Sequence, residues 1–251
     1  MIVDADVHIS PTEGILVDEL LRRMDRAGVD KALTWLQPPY VREVDTSNAY
    51  VYEAATRHPD RILGFGWADP NLGVDKARDM AKKCITEYGF YGVKLNGAQN
   101  PYYIDDPVIS LPVIEEIARM GAVLAFHVGA DDYQRTHPFR VAKIARMYPE
   151  MTILVVHMGG ASYNDLSREA IEFAQECPNP VLIGSNVRDI SILSAIKTLG
   201  PRRVCFGSDT PFALMHVEVA KYRALLDGEV DEEGQADIMG RNILRFLGAT
   251  A

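Results

Sequence analysis

Eight short runs of apolar residues, many of them β-branched, recur along this chain of 251 residues, and their spacing limits the possible folds more than any other feature. Successive runs begin about 30 residues apart, close to the length of one strand–helix unit. Amphipathic segments of helical period lie between them, and several end in Gly or Pro as helices commonly do. The predicted strands cover residues 2–9, 30–36, 62–68, 91–96, 122–129, 151–158, 180–185 and 203–209. The pattern predicts an α/β protein.

The character of these runs indicates how the strands are arranged. They are continuously apolar rather than alternating, which is typical of a parallel sheet covered on both faces. Eight such strands in about 250 residues fit a single (β/α)8 TIM barrel, and an open doubly wound sheet is the alternative. Polar residues at both the first and the last strand favour the barrel, because closure brings those strands together. Since no Pro-, Gly- or Ser-rich linker interrupts the chain, we expect residues 1–251 to form one domain.

Composition excludes several classes of function. The net charge is −9 and no basic block stands out, so nucleic acid is not an expected partner. No apolar run reaches the roughly 18 residues of a membrane helix, and no signal peptide is visible at the N-terminus. The three cysteines are widely spaced without a CxxC pair, which favours reduced thiols. We therefore expect a cytoplasmic protein that acts on a small molecule, with a homodimer left open.

Imidazoles and carboxylates lie at the ends of several predicted strands. Asp6 and His8 are two residues apart on the first strand, so their side chains share a face. His127 and His157 lie at the ends of two later runs, and Asp209 ends the last. A single histidine at a strand end more often has a structural role, but several such groups converging from separate strands can bind a divalent metal. Barrel enzymes carry their catalytic residues at these carboxyl ends of the strands.

Taken together, these motifs resemble those of the amidohydrolase superfamily, specifically its amidohydrolase-related group (amidohydrolase 2) of metal-dependent TIM-barrel hydrolases and decarboxylases. The matching segments are Asp4-Ala-Asp6-Val-His8 for DxHxH, Gly92-Val-Lys94-Leu-Asn96 for GIKLHP, His127, the run from His157 to Gly160, Gly207-Ser208-Asp209-Thr-Pro211 for GSDxP, and the closing GRNILRFLG. Two positions depart from the family pattern. Asp6 replaces the first histidine of DxHxH, and Asn96 replaces a histidine after the lysine.

The resemblance implies one divalent metal ion in the barrel, zinc or manganese. The implied ligands are Asp6, His8, His127 and Asp209. A carboxylate is a harder ligand than an imidazole, so Asp6 shifts the preference toward manganese. Lys94 occupies the position that is carboxylated in binuclear members, but a mononuclear site favours a plain ammonium that is buried or faces the substrate. We expect Lys94 and Arg188 to bind a substrate anion, with His137 in a predicted loop on the same side as a further substrate contact.

Two reactions are compatible with such a site. In the favoured one, a metal-activated water hydrolyses a small carboxylated lactone, ester or amide, with Asp209 as general base and His157 polarising the scissile carbonyl. In the alternative, His157 and Asp209 protonate the carbon that loses CO2 during nonoxidative decarboxylation of an aromatic or unsaturated acid. The shortness of the chain favours hydrolysis, whereas Asp6 favours decarboxylation. A barrel without metal, serving as a binding or scaffold protein, is the third possibility.

Overall fold

The computed structural model describes residues 1–12, 14–37, 43–129, 131–160 and 165–250, which form an α/β barrel of parallel strands surrounded by helices. The strands are β1 Val3–Ile9, β2 Lys31–Leu36, β3 Ile62–Gly64, β4 Gly66–Trp67, β5 Gly92–Leu95, β6 Val123–His127, β7 Ile153–Val156, β8 Pro180–Ile183 and β9 Val204–Cys205. The helices are α1 Val17–Ala27, α2 Val44–Arg57, α3 Val74–Thr86, α4 Leu111–Arg119, α5 Tyr133–Thr136, α6 Pro138–Met147, α7 Ser167–Glu176, α8 Asp189–Leu199, α9 Met215–Leu226, α10 Glu232–Ala236 and α11 Asn242–Leu247. The α/β class and the TIM-barrel type predicted from the sequence are confirmed.

Every strand pair is parallel, and the strands follow one another in chain order. The predicted third strand is interrupted at Phe65, so that β3 and β4 are two parts of one barrel strand. The amide of Phe65 continues the pairing by donating to Thr34 O at 2.9 Å. The first and last strands meet at an isolated bridge between Val7 and Thr210, and the amide of Ala5 donates to Phe206 O at 3.0 Å. We call this contact between β1 and residues 206–210 the seam.

Several strands are shorter than the sequence predicts, because the backbone turns where the functional residues lie. β7 ends at Val156, and His157 has a left-handed backbone with φ of 66°. β9 ends at Cys205, and Asp209 has φ of 58°. A left-handed conformation is uncommon outside glycine and cannot continue a strand. The apolar runs therefore gave the right strands but not the right ends.

A bulge in β1 decides which of its side chains face the barrel interior. The register with β2 moves from Asp4↔Ala32 to Val7↔Thr34, so that three steps along β1 match two along β2. Ala5 belongs to the inner core cluster, whereas Val7 packs in the outer cluster between strands and helices. One extra residue reverses the alternation of side chains along a strand. The bulge thereby turns the side chains that alternate with Val7, those of Asp6 and His8, toward the interior.

The C-terminal helix α11 closes the end of the barrel opposite to the carboxyl ends of the strands. Ile243, Leu244 and Leu247 of α11 pack into the inner cluster formed by the strands. Asn242 fixes the start of this helix, because its side-chain amide donates to Pro201 O and Val204 O, both at 2.7 Å. Most of the closing segment GRNILRFLG is therefore a helix that covers this end of the barrel.

Three further expectations concern the cysteines, membrane-spanning helices and the number of domains. Cys84, Cys177 and Cys205 are buried free thiols, as their spacing predicts. Among the residues that the structure describes, no helix combines the length and the apolar character needed to cross a bilayer. That the whole chain is one domain stays a prediction.

Candidate metal centre

Three buried side chains, those of Asp6, His8 and Asp209, form the centre of the site at the seam. Each offers one ligand atom, and these atoms all lie within 4.8 Å of one another. His8 Nε2 lies 3.4 Å from Asp6 Oδ1 and 3.5 Å from Asp209 Oδ1. The seam holds the two carboxylates close together, because the amide of Asp209 donates to the carbonyl oxygen of Asp6 at 2.9 Å. We call these three residues the triad.

The ring of His8 is oriented by its other nitrogen. Nδ1 lies 2.8 Å from Leu36 O, which can only accept, so the neutral ring carries its proton there and Nε2 is its acceptor nitrogen. The indole of Trp35 donates to Nε2 at 3.1 Å, and Phe212 contacts the ring edge-on with centroids 5.5 Å apart. Burial and Lys94 oppose protonation, but the carboxylates of Asp209 and Asp6 raise the pKa of His8 overall.

Asp6 keeps one oxygen for a cation and uses the other for support. Ser185 Oγ donates to Oδ2 at 2.5 Å, whereas Oδ1 has no hydrogen-bond partner in the described part of the chain. Burial raises the pKa of Asp6, but Lys94 and the neighbouring histidines outweigh it and hold the pKa well below its usual range. Asp6 is thus an ionised carboxylate with an unpartnered buried oxygen that faces His8.

This donor set fits a divalent metal ion. Two buried carboxylates beside an imidazole present oxygen and nitrogen ligands, which suit manganese or zinc. Two buried carboxylates carry more negative charge than the one nearby ammonium of Lys94 offsets, and a cation among the three ligand atoms would compensate the remainder. The unpartnered Asp6 Oδ1 therefore supports the metal site that the sequence predicts, with Asp6, His8 and Asp209 brought together.

His127 lies beside the triad rather than within it. Its ring packs edge-on against His157, with centroids 4.6 Å apart, and its Nε2 lies 3.4 Å from Asp131 Oδ2. Burial, together with His157 and Lys94, lowers the pKa of His127 to about 4 despite the carboxylate of Asp131. The ring is consequently neutral at pH 7 and able to act as a ligand. Its place as the fourth ligand stays a prediction.

His157 is held at one nitrogen by a residue that sequence reasoning missed. Its Nδ1 lies 3.0 Å from Ser185 O and 3.1 Å from Ser185 Oγ, and 3.8 Å from Asp6 Oδ2. With Nδ1 donating to this carbonyl, proton transfer by the ring would use its other nitrogen, Nε2. Ser185 thereby connects His157 to Asp6. The sequence offered one signal for it, a polar residue at the end of the predicted strand 180–185.

Lys94 is a completely buried ammonium below the triad. Its Nζ lies 3.7 Å from Asp6 Oδ1 and 3.8 Å from the centroid of the Trp35 ring, with Trp67 at 5.6 Å. Burial lowers the pKa of Lys94, although Asp6 and Asp209 oppose this shift. The structure thus has the buried ammonium that the sequence analysis allowed, and its contact with substrate stays a prediction.

The other two predicted substrate contacts are not brought to the triad. Arg188 precedes α8, and its largely exposed side chain pairs with Asp165 at 3.1 Å. His137 caps α6, where its Nδ1 accepts a hydrogen bond from the amide of Phe139 at 3.2 Å. The His137 side chain thus satisfies a backbone N–H at a helix start, and the Arg188 side chain is engaged in an ion pair. Their substrate-binding roles stay predictions without support from this geometry.

Comparison with known proteins places the chain in a family. The Amidohydrolase family model matches residues 3–249. A 2-amino-3-carboxymuconate-6-semialdehyde decarboxylase from Dictyostelium discoideum is 24% identical over 80% of this chain, and the match spans 65% of that relative's length. The crystal structure of 2,6-dihydroxybenzoate decarboxylase from Rhizobium superposes with a TM-score of 0.78 at 20% identity, over 98% of both chains.

One further solved structure contains a metal. A dihydroxybenzoic acid decarboxylase from Polaromonas sp. JS666, with bound manganese and the inhibitor 2-nitroresorcinol, superposes with a TM-score of 0.76 at 18% identity, over 98% of this chain and 96% of that one. At such identities the superpositions establish the TIM-barrel fold, and the family model carries the assignment. The chain belongs to the Amidohydrolase family.

Proposed function

We propose that this protein is a metal-dependent nonoxidative decarboxylase of a small aromatic or unsaturated acid. The observation that carries the proposal is His157, anchored at Nδ1 by Ser185 beside the triad and free at Nε2 to deliver a proton. The similar proteins named above are decarboxylases, which supports the same reaction. This reverses the order expected from the sequence, where hydrolysis came first. The similarity to these decarboxylases outweighs the argument from chain length.

The candidate site residues have two roles: some hold the metal that binds the substrate, and others transfer one proton. Asp6, His8 and Asp209 would hold the metal, with His127 as the fourth candidate ligand. When bound, the ion supplies a Lewis acid that binds anionic oxygens of the substrate and offsets their charge. We favour manganese over zinc because the triad contains two carboxylates.

The proton transfer follows from the position of His157. As the C–C bond to the carboxylate breaks, its electron pair stays on the substrate carbon and CO2 leaves. The imidazolium form of His157 gives the Nε2 proton to that carbon, which forms the new C–H bond, and the ring then recovers a proton from solvent. Asp6 Oδ2, 3.8 Å from Nδ1, places a negative charge beside the ring. Asp209 lies across the triad and assists the same protonation.

The surroundings favour a planar unsaturated substrate. Phe212 is 54% exposed although it contacts the buried ring of His8, so an apolar aromatic face remains open next to the triad. A flat substrate can bury this face by edge or stacking contacts. The cytoplasmic location, a homodimer and a single domain remain predictions that accompany this proposal.

A product assay tests the proposal directly. The purified protein, reconstituted with Mn²⁺ or Zn²⁺, is incubated with hydroxybenzoates and unsaturated dicarboxylic acids, and CO2 release is measured alongside hydrolysis of lactones and esters. We expect CO2 release from at least one acid and its loss in His157→Ala. Hydrolysis without CO2 release would restore the hydrolase assignment, and a protein that binds no metal and turns over nothing would favour the scaffold.

A further inference from the structure

We infer that Asp4 is a positioning residue of the metal centre, whose carboxylate fixes the seam and thereby the places of Asp6 and Asp209. Asp4 lies two residues before Asp6, outside the triad and fully buried. The inference rests on the metal site of the proposed function but not on the reaction assigned to it.

A single oxygen of Asp4 connects the two sides of the seam. Its Oδ1 accepts hydrogen bonds from the amide of Ser208 at 2.8 Å and from the amide of Asp6 at 3.1 Å. Regular pairing stops here, because β9 ends at Cys205 and β1 contains its bulge between Asp4 and Val7. The carboxylate therefore supplies an acceptor where a strand would offer a backbone carbonyl.

Each of the two bonds fixes one metal-binding carboxylate. Asp6 carries the first carboxylate on the residue whose amide Asp4 accepts. Asp209 carries the second, one residue after Ser208, and its own amide returns to Asp6 O at 2.9 Å. Losing Oδ1 would consequently loosen both carboxylates at once, whereas His8 stays tied to Leu36 and to Thr210 O.

Packing alone does not call for a carboxylate at this position. Asp4 Oδ2 has no hydrogen-bond partner among the described residues. Burying a polar atom without a partner costs free energy, so an apolar side chain would be cheaper if volume were the only requirement. The two amide bonds give the carboxylate a purpose that an apolar residue cannot fulfil.

The test compares two substitutions of Asp4 with a neighbouring control. Asp4→Ala removes the acceptor, and Asp4→Asn keeps an amide oxygen in its place. Val3→Ala removes buried apolar volume from the same strand without touching the seam. Amide hydrogen exchange at Ser208 and Asp6 is measured by NMR in metal-free protein, and the Kd for Mn²⁺ is measured by competition with a chelator.

We expect Asp4→Ala to lose exchange protection at Ser208 and to weaken Mn²⁺ binding by about 10–100-fold, as loss of groups supporting metal ligands does. Asp4→Asn should stay within about threefold of the wild-type Kd, because its amide oxygen can still accept both hydrogen bonds. Val3→Ala should lower stability and leave the Kd unchanged, so a general loss of stability is separated from positioning.

Several outcomes would overturn the inference. A folded Asp4→Ala protein with wild-type protection at Ser208 and an unchanged Kd would do so, as would a Val3→Ala protein that loses as much Mn²⁺ affinity. If Asp4→Ala does not fold, Asp4→Asn decides, and a Kd weakened tenfold or more would refute the acceptor role. The exchange measurement needs neither metal nor substrate, so failure of the decarboxylase assignment leaves it interpretable.

Discussion

Replacing Ser185 by alanine tests the connection between the metal centre and the proton donor. The hydroxyl donates to Asp6 Oδ2 at 2.5 Å and lies 3.1 Å from His157 Nδ1. A hydrogen bond to a charged group contributes about 1.5–3 kcal/mol, and its loss leaves Asp6 Oδ2 without that buried donor. We therefore expect Ser185→Ala to lower the free energy of unfolding of metal-free protein by about 1.5–3 kcal/mol.

The same substitution should affect turnover only moderately. His157 Nδ1 retains its bond to Ser185 O at 3.0 Å, which belongs to the backbone and survives the change. We expect kcat for the decarboxylated acid to fall about tenfold, equivalent to roughly 1.4 kcal/mol of barrier, with little change in KM. Urea denaturation and steady-state CO2 release measure the two effects.

A second serine provides the matched control. Ser191 on α8 is also buried, and its hydroxyl donates to Asp165 at 3.4 Å, away from the triad. Ser191→Ala removes the same atom as Ser185→Ala. Because the hydrogen bond lost is longer and lies away from the triad, the substitution should lower the free energy of unfolding less and leave kcat unchanged. A Ser185→Ala protein with wild-type stability and kcat would refute the reasoning, and so would equal losses in both variants.

The remaining predictions concern the triad and the neighbouring His127. Asp209→Asn should retain most of the bound metal but lower kcat by about 10²–10⁴-fold, because the amide keeps the shape but can no longer take up a proton and pass it on. Metal content and rate are measured together, and a variant with a third of the wild-type rate would remove Asp209 from the mechanism. His8→Ala should lose Mn²⁺ affinity and activity while its circular dichroism spectrum stays native; loss of folded protein would instead show a structural histidine. The pKa of His8 is raised, so a proton competes with metal there, and the Kd for Mn²⁺ should weaken as pH falls through neutrality, by at most about tenfold per pH unit. His127, with its pKa lowered to about 4, should contribute to this dependence only near that pH, and a Kd independent of pH between 6 and 8 would contradict the argument.

The sequence by itself determined the fold class and most of the candidate ligands. Apolar runs of regular spacing require strands covered by helices, and this requirement does not depend on the details of packing. Asp6 and His8 share a strand, so their proximity also follows from local geometry. The motifs that resemble the amidohydrolase-related group indicate Asp209 and His157 as further candidates.

Only the tertiary structure decided how these residues meet. The bulge that turns Asp6 inward, the seam held by Asp4 and the contact of Ser185 with both Asp6 and His157 join residues that are up to 204 positions apart in the chain. Such contacts depend on closure of the barrel and on left-handed turns at strand ends, which hydrophobic periodicity does not encode. For the same reason the sequence did not show that the His137 side chain caps α6 or that the Arg188 side chain pairs with Asp165, because both contacts depend on how the chain turns before a helix.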